Sequence, residues 1–336
     1  MNTWKQLLLL LVLALCCLAA VILHAVSCTA VEGAADFTVL LQGPDPFQQL
    51  SPWMLPQTGI LLLAGFTLPV AGLMIQTLLR NPLAGPSTLG LSSGAWVAAV
   101  LVPAAAGSSV AAVNGSWLQV LSATAGALLV LLLLRGISKR ISGSSPLLAA
   151  GMAIALWIGA LGWLLLQLLH PDTVQTYLNG WAGTPAPAGT DQLIPCAILS
   201  IGGLLTVLFL QKSLNAVLLG EAYARSMGMS VSLCRTFAVC AVSLLVGAST
   251  AFTGPIALVG LAAPHFARRM LRTADHRILV PGGMLTGSTL LLLTDAAAHG
   301  PGLSQPLPLN LLLTLLLAPV ILQLIFKHKN IRTYAR

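Results

Sequence analysis

Gly72-Leu73-Met74-Ile75-Gln76-Thr77-Leu78-Leu79-Arg80-Asn81-Pro82-Leu83-Ala84-Gly85-Pro86, continuing to Leu89-Gly90-Leu91-Ser92-Ser93-Gly94-Ala95, decides the architecture. The apolar run that ends here starts near residue 57, close to the roughly 20 residues that cross a hydrocarbon core. Pro82 lacks an N–H and disfavours helix at Asn81, so the run must stop at this point. Ser92, Ser93, Gly94 and Ala95 then open a second apolar run with side chains small enough for close helix approach. The same unit, an apolar run closed by a short charged or Pro-bearing turn, recurs outward in both directions. It predicts ten helices, near 7–27, 57–79, 89–103, 116–134, 147–169, 191–211, 234–253, 255–270, 278–298 and 308–326, the third and eighth being short.

Composition agrees. Of 336 residues 57% are hydrophobic and 7% charged, with a mean hydropathy of +0.92. A soluble domain is about one-quarter charged, so these residues cannot cover a water-facing surface. The expected fold class is an all-α polytopic membrane protein, one transmembrane domain over 1–336.

The net charge of +8 would suggest nucleic acid in a soluble protein. Placement says otherwise. With ten spans and both termini on one side, that side holds Lys5, Arg80, Arg135, Lys139, Arg140, Lys212, Arg225 and Arg235. It also holds Arg268, Arg269, Arg272, Arg277, Lys327, Lys329, Arg332 and Arg336, which completes all 16 basic residues. The other side carries Glu32, Asp36, Asp45, Asp172 and Asp191. By the positive-inside rule both termini are cytoplasmic, and the charge orients the chain in an anionic bilayer. Ala25-Val26-Ser27-Cys28 loosely resembles a lipoprotein cleavage box, but the first apolar run is longer than a signal-peptide core. Cys16, Cys17, Cys28, Cys196, Cys234 and Cys240 form no CxxC pair and read as small buried hydrophobes, so no metal site is expected.

Absences narrow the mechanism. None of the five lysines follows a glycine, which excludes a GxxxxGK[ST] nucleotide loop. Apart from Asp191 at the outer edge of the sixth, Asp295 is the only carboxylate within the expected spans, whereas an ion-coupled carrier places carboxylates or broken helices near the midplane. The histidines are mostly single and near span ends, with no HExxH, so a hydrolase is not indicated. A transporter built this way takes its energy from another subunit. The alternative is a secondary carrier or channel working without an ATPase, with Asp295 its one ionisable candidate.

Three segments stand apart. Residues 72–95 read either as a tight inter-helix turn or as a narrow part of a pathway. Leu214-Asn215-Ala216-Val217-Leu218-Leu219-Gly220-Glu221-Ala222-Tyr223-Ala224-Arg225-Ser226-Met227-Gly228-Met229 reads as a short amphipathic helix in a loop of about 212–234. Glu221 precedes Arg225 by four, the favourable order, and Gly228 suits a left-handed helix stop. Such a helix either lies on lipid or fits a groove in a soluble partner. Gly254-Pro255-Ile256-Ala257-Leu258-Val259-Gly260-Leu261-Ala262-Ala263-Pro264-His265-Phe266-Ala267-Arg268-Arg269, followed by Asp275-His276-Arg277, reads as a short kinked helix. Its histidine is either a hydrogen-bonded structural residue or a ligand.

Together these segments resemble the permease subunit of type II ABC importers, the iron–siderophore, haem and vitamin B12 family. The family pattern Q-x-x-x-R-N-P-L-A-x-P-x-x-L-G-x-x-x-G-A is met by Gln76, Arg80 to Ala84, Pro86, Leu89, Gly90, Gly94 and Ala95. Its L-G-x-x-x-A-R-x-L-G loop is met by Leu219, Gly220, Ala224, Arg225 and Gly228, with Glu221 alongside. Its G-P-I-x-x-V-G-L-x-x-P-H-x-x-R and D-H-R blocks are met by Gly254, Pro255, Ile256, Val259, Gly260, Leu261, Pro264, His265, Arg268 and Asp275 to Arg277. The resemblance implies a permease dimer, of two copies or of related chains, around a central path in a bacterial inner membrane. It implies two ATPase subunits, which bind the ATP and Mg that this chain does not, and a periplasmic or surface-anchored substrate-binding protein. The Gly220–Gly228 loop would dock in the ATPase; Asn81, Pro82 and Leu83 would form the cytoplasmic gate; Tyr177, Asn179 and Gly180 would help form the outer gate. Iron–siderophore, the commonest family substrate, is the expected cargo, with haem and cobalamin the alternatives.

Departures from the pattern fall on the outer side. The family opens its second span with R-L-P-R, whose arginines dock the binding protein; here Met54-Leu55-Pro56-Gln57 has neither. An arginine commonly follows the Asp295-like aspartate by four, where this chain has His299. The E-L-P-x-G before the last span is met by Pro306-Leu307-Pro308-Leu309-Asn310, without acid or glycine. The expectation is normal coupling to an ATPase, with binding-protein docking that lacks the usual salt bridges.

Overall fold

A computed structural model describes residues 3–31, 54–106, 108–138, 140, 144–168, 171–183, 189–300 and 306–333. Glu32, Asp36, Asp45, Lys139 and Arg336 of the charge pattern lie outside these residues, as do the side chains of Cys28 and Met54. Every described element is helical. In chain order they are α1 (Thr3–Val31), α2 (Met54–Leu79), α3 (Leu91–Ala106), α4 (Ser108–Ser138), α5 (Ser144–Leu166), α6 (Pro171–Ala182), α7 (Thr190–Leu219), α8 (Glu221–Ser226), α9 (Val231–Thr253), α10 (Val259–Leu271), α11 (His276–Ala298) and α12 (Leu309–Thr333).

Each expected helix has a counterpart, but not each is a full crossing. Among the described residues α1, α2, α4, α5, α7, α9 and α11 are long and apolar enough to span; α3 and Leu309–Gln323 of α12 are shorter apolar helices. The eighth expected helix, 255–270, is displaced. Gly254 to Leu258 stay non-helical, with Gly254 at φ +71° and Leu258 at +65°, and only the 13 residues of α10 coil. At 1.5 Å per residue that is about 20 Å, short of the roughly 30 Å core. The sixth helix runs longer than expected, to Leu219 rather than 211, because Leu214 and Val217 continue its buried stripe past Lys212. A lone charge is no terminator when the apolar face goes on beneath it.

Two buried clusters meet at α2. The larger joins α2 to α3, α4, α7 and α9; the smaller gathers Ala20, Leu61, Ala64, Leu68, Val259, Leu291 and Leu313 from α1, α2, α10, α11 and α12. Small residues set the helix spacing. A Cβ on Gly126 of α4 would stand 2.3 Å from the Gly94 carbonyl oxygen of α3, and one on Gly287 of α11 would stand 2.4 Å from that of Gly65 in α2. With little hydrophobic gain between helices in lipid, such backbone contact supplies the packing. The outward faces are apolar: Leu8, Leu11 and Leu15 of α1, Leu129 and Leu132 of α4, and Phe209 of α7 are exposed. Cys17, Cys196 and Cys234 are buried as expected, but Cys16 and Cys240 are exposed on the outer flanks of their helices. In a bilayer that costs little, because the surrounding solvent is itself apolar.

Candidate functional site

The bundle has two chemically different ends. At one the described arginines collect. Gln6 of α1 donates to the Leu271 carbonyl of α10 (3.4 Å), the Arg80 guanidinium donates to the Val217 carbonyl (3.5 Å), and Arg135 reaches the Thr236 hydroxyl (3.4 Å). At the other, Ser116 donates to Asp191 (2.8 Å).

At the basic end α2 stops at Leu79, as Pro82 requires. Arg80 adopts φ +47°, an uncommon conformation for a side-chain-bearing residue. The Asn81 side chain accepts from the Leu83 amide (3.0 Å), closing a tight turn, while Pro82 and Leu83 are half-buried. Behind this turn lies a polar network. Arg268 of α10 donates to the Gln76 side chain (2.7 Å), and Gln76 donates to the Leu261 carbonyl (3.4 Å). The buried His276 ring bonds Thr77 of α2 (2.9 Å) and Asn215 of α7 (2.6 Å); Asn215 also donates to Asp275 (2.6 Å). Burial alone would raise the Asp275 pKa, but the Arg277 amide, the Asn215 donor and the Arg277 charge outweigh it and hold the carboxyl below its ordinary range. As α11's N-cap, accepting from the Arg277 amide, Asp275 thus contributes stability at neutral pH that is lost on acidification through its lowered pKa.

The segment from Gly220 to Gly228 is compact. Gly220 (φ +132°) breaks α7 and Gly228 (φ +77°) ends the turn after α8, so both glycines hold backbone that L side chains avoid. Ala224 is fully buried, and Glu221 pairs with Arg225 (3.7 Å) and Arg235 of α9. Leu219, Tyr223 and Met227, four residues apart, point outward with 71%, 47% and 63% of their surface exposed. This is an apolar ridge with a charged base.

At the opposite end Gly180 of α6 comes against Gly254. A Cβ on Gly254 would stand 1.9 Å from the Gly180 carbonyl oxygen, and one on Gly180 would strike the Trp96 ring. Tyr177 is buried among Trp96, Trp163 and Trp181, stacked on the last at 6.0 Å, and burial pushes its phenol up to about 12. Asn179 lies on the same helix. Asn310 clasps the region: its amide donates to the carbonyls of Trp181 (2.7 Å) and Pro255 (3.1 Å), and its oxygen accepts from the Ala257 amide (3.2 Å). Gly260 and Pro264 are buried on α10; a Cβ on Gly72 of α2 would come 1.6 Å from the Gly260 carbonyl oxygen. His265 is half-buried on the same helix.

Of the three positions expected to face a binding protein, His299 joins a buried cluster that sequence reading missed, while the Met54 side chain lies outside the described residues. His24 of α1, fully buried, donates to the Asp295 carboxylate (2.7 Å) and bonds Thr58 of α2 (3.1 Å). His299 donates to the Asp295 backbone carbonyl (2.8 Å) and lies 3.4 Å from its carboxylate. Gln57, half-buried, adjoins Thr58 in the chain. The available signal was two lone ionisable residues in otherwise apolar helices, a polar pair within a membrane. No group of three or more His, Cys, Asp or Glu fit to hold a metal occurs among the described residues.

Broken and full-length helices, backbone-tight seams and a protruding polar-based helix define a multi-pass permease of the ABC importer class. The chain belongs to the FecCD transport family, whose pattern matches residues 7–327. It is 33% identical over 291 residues to the vitamin B12 import system permease protein BtuC of Escherichia coli, covering 85% of this chain and 86% of that one. Among solved structures, a transporter assigned to the metal-chelate ABC type, in an inward-facing conformation, aligns with TM-score 0.79 and 26% identity over 95% of this chain and 99% of that one. PsaBC from Streptococcus pneumoniae, solved with a Fab, shares the fold with TM-score 0.56 and 18% identity over 85% and 92%.

Proposed function

We propose that this chain forms the membrane path of an ATP-driven importer for a bulky metal chelate, with iron–siderophore the foremost cargo and haem or cobalamin the related ones. It works in a bacterial inner membrane with both termini in the cytoplasm, so the basic end faces the ATPases. Two copies, or this chain and a related permease, enclose the path. Two ATPase subunits supply ATP and Mg, and a substrate-binding protein delivers cargo to the opposite end.

The observation that carries the coupling role is α8. Its exposed Tyr223, with Leu219 before it and Met227 after it, offers the apolar surface that a groove in a soluble partner takes. Gly220, Ala224 and Gly228 fix its pose, and Glu221 and Arg225 flank it. Movement of this helix reaches α7, and through the Arg80–Val217 and Asn215–His276–Thr77 bonds it reaches the gate turn at Asn81, Pro82 and Leu83. Tyr177, Asn179 and Gly180 act as the outer gate. Gly254, Pro255, Gly260, Pro264, His265 and Arg268 hold the scaffold between the two gates. Met54, Gln57 and His299 stand where docking arginines would be, so the binding protein docks here without those salt bridges.

The test is reconstitution of the native complex in liposomes with radiolabelled ferric siderophore and, separately, cobalamin. ATP-dependent uptake of either establishes import and selects the cargo. Uptake that needs a proton gradient but no ATP refutes the reading and leaves the carrier.

A further inference from the structure

A cavity of about 640 Å³ opens at the basic end between the ends of α2 and α4 and the starts of α5, α8 and α9. That volume falls within the roughly 300–1,000 Å³ typical of ligand sites. Its rim holds four guanidinium groups, Arg80, Arg135, Arg225 and Arg235, against one carboxylate, Glu221. Glu221 is occupied by Arg225 and Arg235, while among the described residues the Arg80 and Arg135 guanidinium groups bond a carbonyl and a hydroxyl and no carboxylate. The rim therefore carries uncompensated positive charge. The walls below are apolar, from Leu78, Leu131, Leu134 and Val239. On the other flank of α4 a second hollow of about 460 Å³ runs along Leu129, Leu132 and Leu133 to Arg140. Arginine above and hydrocarbon below is the layering of a bilayer leaflet at its headgroup boundary, and Arg binds phosphate through paired donors.

We propose that this cavity is a binding site for an anionic phospholipid, its headgroup phosphate held by Arg80, Arg135 and Arg235 and its acyl chains lying along α4. Water-soluble anions lack the chains that the apolar walls would bury, and a neutral lipid leaves the arginines unmatched. The inference rests on the chain spanning a membrane and not on the coupling role of α8.

The test is native mass spectrometry of the detergent-extracted complex supplied with equal phosphatidylglycerol and phosphatidylethanolamine. Wild type is expected to retain phosphatidylglycerol selectively. Arg135→Gln with Arg235→Gln should lower that retention by roughly tenfold, whereas Arg269→Gln with Arg277→Gln, the same charge change outside the cavity, should leave it within about twofold. Val239→Trp fills the apolar floor without altering charge and should also expel the lipid, which covers the case where removing arginines disturbs α8. Equal loss in the Arg269/Arg277 variant, or no preference over phosphatidylethanolamine in wild type, overturns the site. Unchanged lipid with loss of the ATPase from the same spectra would assign the cavity to the ATPase interface and overturn it equally. An ATPase-free wild-type spectrum would count against the importer reading alone.

Discussion

The two ends of the bundle solve the same problem, fastening helices together, with different chemistry. At the basic end the fastening is an open network of Gln76, Arg268, Asn215, His276 and Asp275 that links α2, α7, α10 and α11 and meets the Asn81 turn through the Gln76 carbonyl. At the opposite end it is two closed clasps, His24–Asp295–His299 and Asn310, each satisfying buried polar groups locally. The family's sequence pattern is intact where the network is open and altered where the clasps are closed. At the basic end the same residues serve several elements, so single replacements there are felt widely, as the proposed coupling to an ATPase would require. A closed clasp can be rebuilt with other side chains provided its hydrogen bonds are met.

That contrast can be broken in order of expected effect. Gly72→Val drives a side chain into the Gly260 backbone, with nowhere to yield, and should cost more than about 4 kcal/mol; fluorescence-detected size exclusion should show loss of the folded peak. Unaltered recovery would mean that α2 and α10 are not in backbone contact. His24→Ala leaves Asp295 buried without its 2.7 Å partner and should destabilise by about 3 kcal/mol, while His299→Ala, which removes a longer contact, costs about 1 kcal/mol. Thermal melts in detergent that rank the two the other way would make His299 the keystone. Glu221→Arg should cut substrate-stimulated ATP turnover by about tenfold, as loss of one interface anchor does, at normal membrane levels; Gly228→Leu, forced to φ +77°, should do the same. Unchanged turnover in both would remove the coupling role of α8. The smallest effect belongs to Met54→Arg with Gln57→Arg. Surface ion pairs contribute about 0.2–1 kcal/mol each, so binding-protein affinity should rise by less than about tenfold and lose the gain in high salt. Affinity and salt dependence identical to wild type would sink the docking interpretation.

Much of this was legible in the chain, for a physical reason. Apolar runs, Pro82 and the one-sided arginines are local signals, and they give the helices and the order of the three motifs without tertiary knowledge. Two features misled. Lys212 looked like the edge of a span, yet α7 continues seven residues further because its buried stripe continues. Pro255 suggested a helix start, yet Gly254 and Leu258 take positive φ and delay the coil to Val259. The clasps were illegible because their halves lie far apart: His24 and Asp295 are separated by 271 positions, Asn310 and Trp181 by 129. Each residue alone looks like an isolated polar intrusion, and only the fold makes it half of a pair.

The glycine contacts carry a mechanical consequence. Side chains that interlock across a helix pair act like gear teeth: turning one helix on the other requires rotamers to jump together. Where Gly72 meets Gly260 and Gly180 meets Gly254 there are no teeth. Backbone rests on backbone, so at these two points a shift of α10 or the segment before it meets no interlocked side chain on the Gly72 or Gly254 side. Both points lie on the one stretch, 254–260, that runs between the outer clasp and the inner network. The short helix and its lead-in are thus seated in two plain bearings, one toward each proposed gate.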